Sequence, residues 1–300
     1  MKTTLSLLLV TASALIMGAP LPPEVSTQRS GEYERVDGWP TTPRDIGAVP
    51  AVDVDAHGHV HVFRRESPNV WTFDSEGTLI REWGDEIAEW AHSIRVDHDG
   101  YIWTVDGGGH QIKKWSPDGN ELLLTLGELG VEGAGRYSFN RPADVAVGPG
   151  GDFFVADGYG NSRVVKYDRR GKFVKEWGER GVEPGQFHTV HAIVVGSDGR
   201  VFVADRENNR VQIFDSEGEF IDEWTHVGTP YGLYITSEGL IYVADLPGGT
   251  VWIASAADGE IQGAIEGTEG IHWVGVGADG SVYAASVRGT YVRKFVQSNP

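Results

Sequence analysis

Six copies of one turn set the limits on how this chain folds. Gly58, Gly100, Gly151, Gly199, Gly239 and Gly280 each sit between two short apolar alternations, as in Asp198-Gly199-Arg200 ahead of Val201-Phe202-Val203-Ala204-Asp205. Period-two alternation on both sides of a turn that needs positive φ reads as a β-hairpin. Two further strands follow in each copy, shown whole by Arg210 to Phe214, a turn at Asp215-Ser216-Glu217-Gly218, and Glu219 to Trp224. The copies recur roughly every 40 to 50 residues, the period of a four-stranded propeller blade.

The expected fold is therefore all-β, a six-bladed β-propeller. The two wider gaps hold inserts at 127–141 and 178–189. The sixth copy ends after its third strand, Tyr291 to Phe295, and Glu32 to Val36 at the other end offers a fourth. Borrowing that strand closes the ring and protects a sheet edge. The 41 glycines suit so many turns, and no long helical period competes. One propeller over residues 32–300 accounts for the length, so no second domain is needed.

The start of the chain reads as an address. Lys2, an apolar stretch from Leu5 to Met17 and the small residues Gly18-Ala19 form a signal peptide over 1–19, with a Pro, Ser and Thr-rich linker over 20–31. The apolar stretch is too short for a membrane span. A secreted or periplasmic protein is expected, and with no cysteine its stability rests on packing and ring closure. A net charge of −18 argues against nucleic acid and anionic membranes, which need a basic face. A monomer is expected.

One register position carries chemistry. His92, His191 and His272 each lie eight residues before a turn glycine, in the second, fourth and sixth copies. In a closed ring of six, alternate copies stand a third of a turn apart, so three imidazoles converge on the axis. Three neutral imidazoles with an open fourth position suit catalytic zinc; copper and iron remain alternatives, and carboxylate-poor ligation disfavours calcium or magnesium there. The plainer alternative is that the histidines line a wet channel.

The second strand of each hairpin returns to the same end. Arg65 and Arg206 both stand seven residues after their glycines, and Tyr159 stands eight after Gly151. Two guanidinium groups on one rim would hold a carboxylate in two-point fashion, or else pair with acids of neighbouring blades. Tyr159 would be a proton acceptor or a stacking wall. Arg64, adjacent to Arg65, competes for the mouth-facing role. His57, His59, His61, His110 and His188 share no register and receive no role, and Trp83, Trp177 and Trp224 at blade ends read as packing.

Asp157-Gly158-Tyr159-Gly160-Asn161-Ser162-Arg163, the insert Pro184-Gly185-Gln186-Phe187 and Ala204-Asp205-Arg206-Glu207-Asn208 resemble NHL-repeat propellers, and more specifically peptidyl-α-hydroxyglycine α-amidating lyases. The resemblance extends from Asp45 to Phe295. It implies a zinc on His92, His191 and His272, Tyr159 as general base, and Arg206 with Arg65 as substrate-binding arginines. It also implies cleavage of a C-terminal α-hydroxyglycine, from a peptide or small molecule, to an amide and glyoxylate. The chain departs from that family in three ways. Gly160 and Phe202 stand where animal enzymes carry cysteines, no copper monooxygenase segment is present, and Trp273 replaces an aspartate linked to a structural calcium. A metal-dependent lactone or ester hydrolase and a non-catalytic NHL binding module are the competing functions.

Overall fold

The computed structural model describes residues 33–298, so the signal and linker segments read at 1–19 and 20–31 lie outside the described residues. Six four-stranded antiparallel sheets are formed, each by the strands of one repeat in sequence order except the last. Blade four shows the pattern: Val190–Val195 innermost, then Val201–Asp205, Arg210–Phe214 and Phe220–Trp224 at the rim. Its three inner strands are buried almost throughout, while the outer strand is exposed until Trp224. Adjacent blades cover both faces of the inner strands, so Val201-Phe202-Val203-Ala204 reads as a continuous apolar run. The rim strand faces solvent on one side, and so carries charge.

The inner strands pack one on the next around the axis, and Ala51–Val54 of blade one meets Trp273–Val276 of blade six. The ring closes as expected, by hydrogen-bonded pairing of a strand from the N-terminal side with blade six. Blade six is ordered Tyr33–Arg35, Tyr291–Gln297, Val282–Ser286, Trp273–Val276, with Tyr33 paired to Gln297 and Arg35 to Phe295. The blade-end tryptophans latch neighbouring blades together. Trp83, Trp177 and Trp224 cover the outer-turn glycines Gly119, Gly218 and Gly259 of the next blade, where a Cβ would come within 2.8, 2.6 and 2.6 Å of the indole. These glycines also hold φ of +66°, +78° and +76°, so two constraints exclude a side chain there.

A second recurring device controls the loops leading into the inner strands. Six residues after the turn glycines stand Arg64, Asp106, Asp157, Asp205, Asp245 and Ser286. The four aspartates accept backbone N–H groups from the incoming loop: Glu89 and Trp90 to Asp106, Asn140 to Asp157, His188 to Asp205, Thr229 to Asp245. Arg64 and Ser286 reverse the polarity and donate to the carbonyls of Ile46 and Gly270. All six blades thus anchor, from one position, the segment just before the register that matters on the axis.

Candidate metal centre

The loop anchors deliver the residue eight before each turn glycine to the axis, and in blades two, four and five a bulge then turns it inward. Pairing in blade two runs from Ala91 with Asp106 to Ser93 with Val105, leaving His92 as the extra residue. The same slip isolates His191 in blade four and Tyr231 in blade five. A bulge inserts one residue without a partner and re-aims its side chain, which is why bulges recur at functional sites.

His92, His191 and His272 meet as expected. Their ring centroids are 4.8, 5.2 and 5.0 Å apart in pairs, and their ligand atoms all lie within 4.8 Å of one another. All three are buried. Each Nδ1–H donates to a main-chain carbonyl: His92 to Ala143 at 2.6 Å, His191 to Tyr231 at 2.7 Å, His272 to Pro50 at 2.7 Å. A carbonyl only accepts, so the proton sits on Nδ1 and the Nε2 lone pair faces the axis. Ala143, Tyr231 and Pro50 are themselves the residues eight before the turn glycines of blades three, five and one.

Tyr159 Oη stands 3.0 Å from His92 Nε2 and 2.9 Å from His191 Nε2, and accepts a hydrogen bond from Arg206 Nη1 at 3.2 Å. Its single proton serves only one of two facing lone pairs. Burial, with the neighbouring imidazole and guanidinium charges, holds His92 and His191 well below the usual histidine range, and burial above all brings His272 to about 4. Three neutral nitrogens, pinned behind and converging in front with too few protons among them, are a donor set that fits a divalent cation.

Arg206 and Arg65 flank this centre. The Arg206 guanidinium lies between the rings of Tyr159 at 5.2 Å and Tyr231 at 4.9 Å, and pairs with its neighbour Glu207 rather than with another blade. Arg65 lies over Trp90 at 4.9 Å, and its buried Nε finds no hydrogen-bond partner among the described residues. Burial pushes the Tyr159 phenol up, and the charges of Arg206 and Arg65 pull it back without cancelling the rise. Arg64 is excluded from the mouth: it is buried over Trp71 at 4.0 Å and bound to the carbonyls of Ile46 and Pro68.

Three neighbours of the centre, Trp90, Tyr231 and Arg95, are not singled out by the sequence, and a fourth, Trp273, stands out there only as a departure from the family. Trp90 edges against His92 and Tyr159 at 5.4 and 5.0 Å, and Tyr231 packs on His191 at 5.0 Å. Tyr231 was recoverable, since it occupies the triad's own register in copy five. Trp273 and Arg95 lie deeper on the axis, with the Arg95 guanidinium 4.7 Å from the Trp273 ring. Of the unassigned histidines, His110 accepts the Arg141 N–H and serves the loop.

The class is now defined. The chain carries NHL repeats, with the NHL repeat model matching residues 139–167 and 187–214 in blades three and four, and it folds as a six-bladed β-propeller. Several of its homologues are named as amidating lyases. Peptidyl-alpha-hydroxyglycine alpha-amidating lyase 1 of Drosophila melanogaster is 33% identical over 62% of this chain and 41% of its own length. A probable lyase of the same name from Caenorhabditis elegans is 32% identical over 55% of each chain. NHL repeat-containing protein 3 of Homo sapiens is 32% identical over 57% of this chain and 53% of its own. The chain thus spans about half of these relatives. Among solved structures, a streptogramin B lyase superposes with a TM-score of 0.63 over 89% of this chain and 98% of its own at 16% identity, which speaks to the fold.

Proposed function

We propose that this propeller is a zinc-dependent lyase that splits an α-hydroxyglycine-type N-acyl carbinolamine into an amide and glyoxylate. The observation that carries the reading is the axial convergence of His92, His191 and His272, each pinned through Nδ1, with the Tyr159 hydroxyl against two of them. The names of the homologues point to the same reaction class. Zinc held by the three Nε2 atoms would supply a Lewis acid that polarises and acidifies the substrate hydroxyl.

The remaining work falls to side chains. Arg206, held between two aromatic rings, and Arg65, with an unfilled donor, bind the substrate carboxylate and offset the negative charge that grows beside it. Tyr159 would act as the phenolate: once its own proton is lost, Oη takes the hydroxyl proton and returns it to the departing amide nitrogen, which leaves the phenolate for the next cycle. The carbon–nitrogen bond breaks as the carbon–oxygen double bond forms, so no oxidant is consumed. Arg206 and Arg65 offset part of the rise that burial gives the phenol, which favours its ionised form at this position over an equally buried tyrosine without them. Trp90 and Tyr231 wall the site and limit water.

Incubation of zinc-loaded protein with α-hydroxyhippurate tests the reading. Benzamide and glyoxylate in equal amounts are expected. A fully loaded protein that releases neither above the uncatalysed rate would rule the activity out.

A further inference from the structure

Beneath the histidines the axis is filled by groups that a simple apolar core would not contain. The strands run from the mouth down to the turn, so residues seven and five before the glycines lie deeper than the triad. At the first of these levels is Trp273, fully buried, stacked on His272 at 6.1 Å and 24°, edged by His92 at 6.1 Å and tilted against His191 at 6.4 Å. Its ring is in contact with all three imidazoles. Below it lies Arg95, which donates through Nε and Nη2 to the two oxygens of Asp144 at 3.1 and 2.6 Å.

Asp144 reaches further. It also accepts the Ile193 N–H at 2.9 Å, two residues beyond His191. It directly follows Ala143, whose carbonyl holds the His92 ring. Arg95 lies three residues beyond His92. One carboxylate thus joins the inner strands of blades two, three and four just below their contributions to the centre, and the indole from blade six rests on the guanidinium they hold.

Packing alone does not account for these residue types. A buried ion pair is no better for stability than an apolar pair of the same shape, and the Trp273 indole N–H finds no hydrogen-bond partner among the described residues. We propose that Trp273, backed by the Arg95–Asp144 pair, is the positioning floor of the metal centre: it fixes the planes of the three imidazoles and closes the axial channel, leaving one mouth for substrate and product. The inference rests on the metal centre proposed above.

Cobalt(II) is the probe, because its visible absorption reports coordination number as well as binding. Two variants are compared with the wild type, Trp273→Phe and the triple change Arg95→Met, Asp144→Leu and Asp53→Asn, which removes the pair together with the buried carboxyl that also faces Arg95. Loss of supporting contacts typically weakens metal binding 10- to 100-fold. That loss is expected in both, measured by competition with a chelator, together with weaker absorption as water enlarges the coordination shell. Trp71→Phe, at a buried tryptophan beside Arg64, controls for packing and should leave the cobalt spectrum as in wild type. Unchanged spectra and affinities in both axial variants would overturn the floor. Wild type that binds cobalt but releases no glyoxylate when zinc-loaded overturns the lyase reading alone, and wild type that binds no metal overturns both.

Discussion

Even and odd blades use the same backbone position in opposite ways. In blades two, four and six the residue eight before the turn glycine offers an imidazole to the axis; in blades three, five and one it offers only its carbonyl, to the imidazole of the preceding blade. The centre is therefore a threefold alternation of ligand and support made from six equivalent positions. The ligand role constrains the side chain at three of them; the support role does not constrain it at the other three, because a main-chain acceptor is supplied by any residue, though Tyr231 has a second role through its ring.

The sharpest way to break this comparison is to remove a ligand. His191→Ala should abolish stoichiometric metal and lower glyoxylate release at least about a thousandfold, since the metal is asked for several kcal/mol of transition-state stabilisation. Elemental analysis per chain, beside the rate, checks it. Full metal content in the variant would show that the even blades do not carry the site.

The loop anchors come next, and here the contrast is between aspartate blades and the two that use a donor. Asp205 is buried and receives Arg210 Nε at 2.8 Å, Asn208 and the His188 N–H. Asp205→Ala strands all of them and should reduce stability by about 3–5 kcal/mol, as when one partner of a buried pair is removed. Ser286→Ala at the same register in blade six, which loses the bond to the Gly270 carbonyl and the bond from the Gly289 N–H, should cost about 2 kcal/mol, the net worth of two neutral hydrogen bonds. Urea unfolding of both variants gives the ratio, and equal losses would deny that the aspartate is the stronger anchor.

Five residues before the glycine, blade one carries Asp53 where blade two carries Arg95. Burial raises the Asp53 carboxyl from 3.8 to about 6, against the opposing pull of Arg95 and the N–H groups of Val96 and Val54. Held above its unfolded value, the carboxyl keeps a proton in the folded chain that the unfolded chain has released between about pH 4 and pH 6. Its contribution to stability therefore falls as pH rises through that window and stays low above it, by up to about 3 kcal/mol at 1.36 kcal/mol per unit. Asp53→Asn removes the titration, so the stability difference between variant and wild type should shift in the variant's favour from pH 4 to pH 7. A difference constant with pH would mean that the folded carboxyl titrates normally.

Much of this architecture is legible in the sequence because it repeats. The glycine register predicts six blades, the closing strand at Tyr33–Arg35, the histidine triad and the side on which Arg65, Arg206 and Tyr159 appear. What periodicity does not show is aim. The bulges at His92 and His191 leave no mark in the apolar alternation, so a register argument places these residues at the right height without showing why they turn inward. Nor does spacing separate Arg64 from Arg65: six after the glycine is an anchor and seven is the mouth, a distinction visible only once Arg64 is seen bound to Ile46 and Pro68. The packing roles of Trp273 and Arg95 are silent for a different reason. Each is a single departure within its register, and a search for recurrence discards such residues.

Tyr231 tests the alternation most directly, because it sits on the odd side yet touches both functions. Its carbonyl holds His191 and its ring supports Arg206. Tyr231→Ala keeps the first and deletes the second, so the metal should stay at wild-type content while the guanidinium loses one of its two aromatic walls. A cation against an aromatic face contributes about 0.5–2 kcal/mol, and the expected loss is about tenfold in kcat/KM, borne mainly by KM because the carboxylate contact serves substrate and transition state alike. Steady-state kinetics on α-hydroxyhippurate with parallel metal analysis separates the two roles. Loss of metal in this variant would mean that the ring, and not the carbonyl, is what supports the imidazole, and the division between ligand blades and support blades would have to be redrawn.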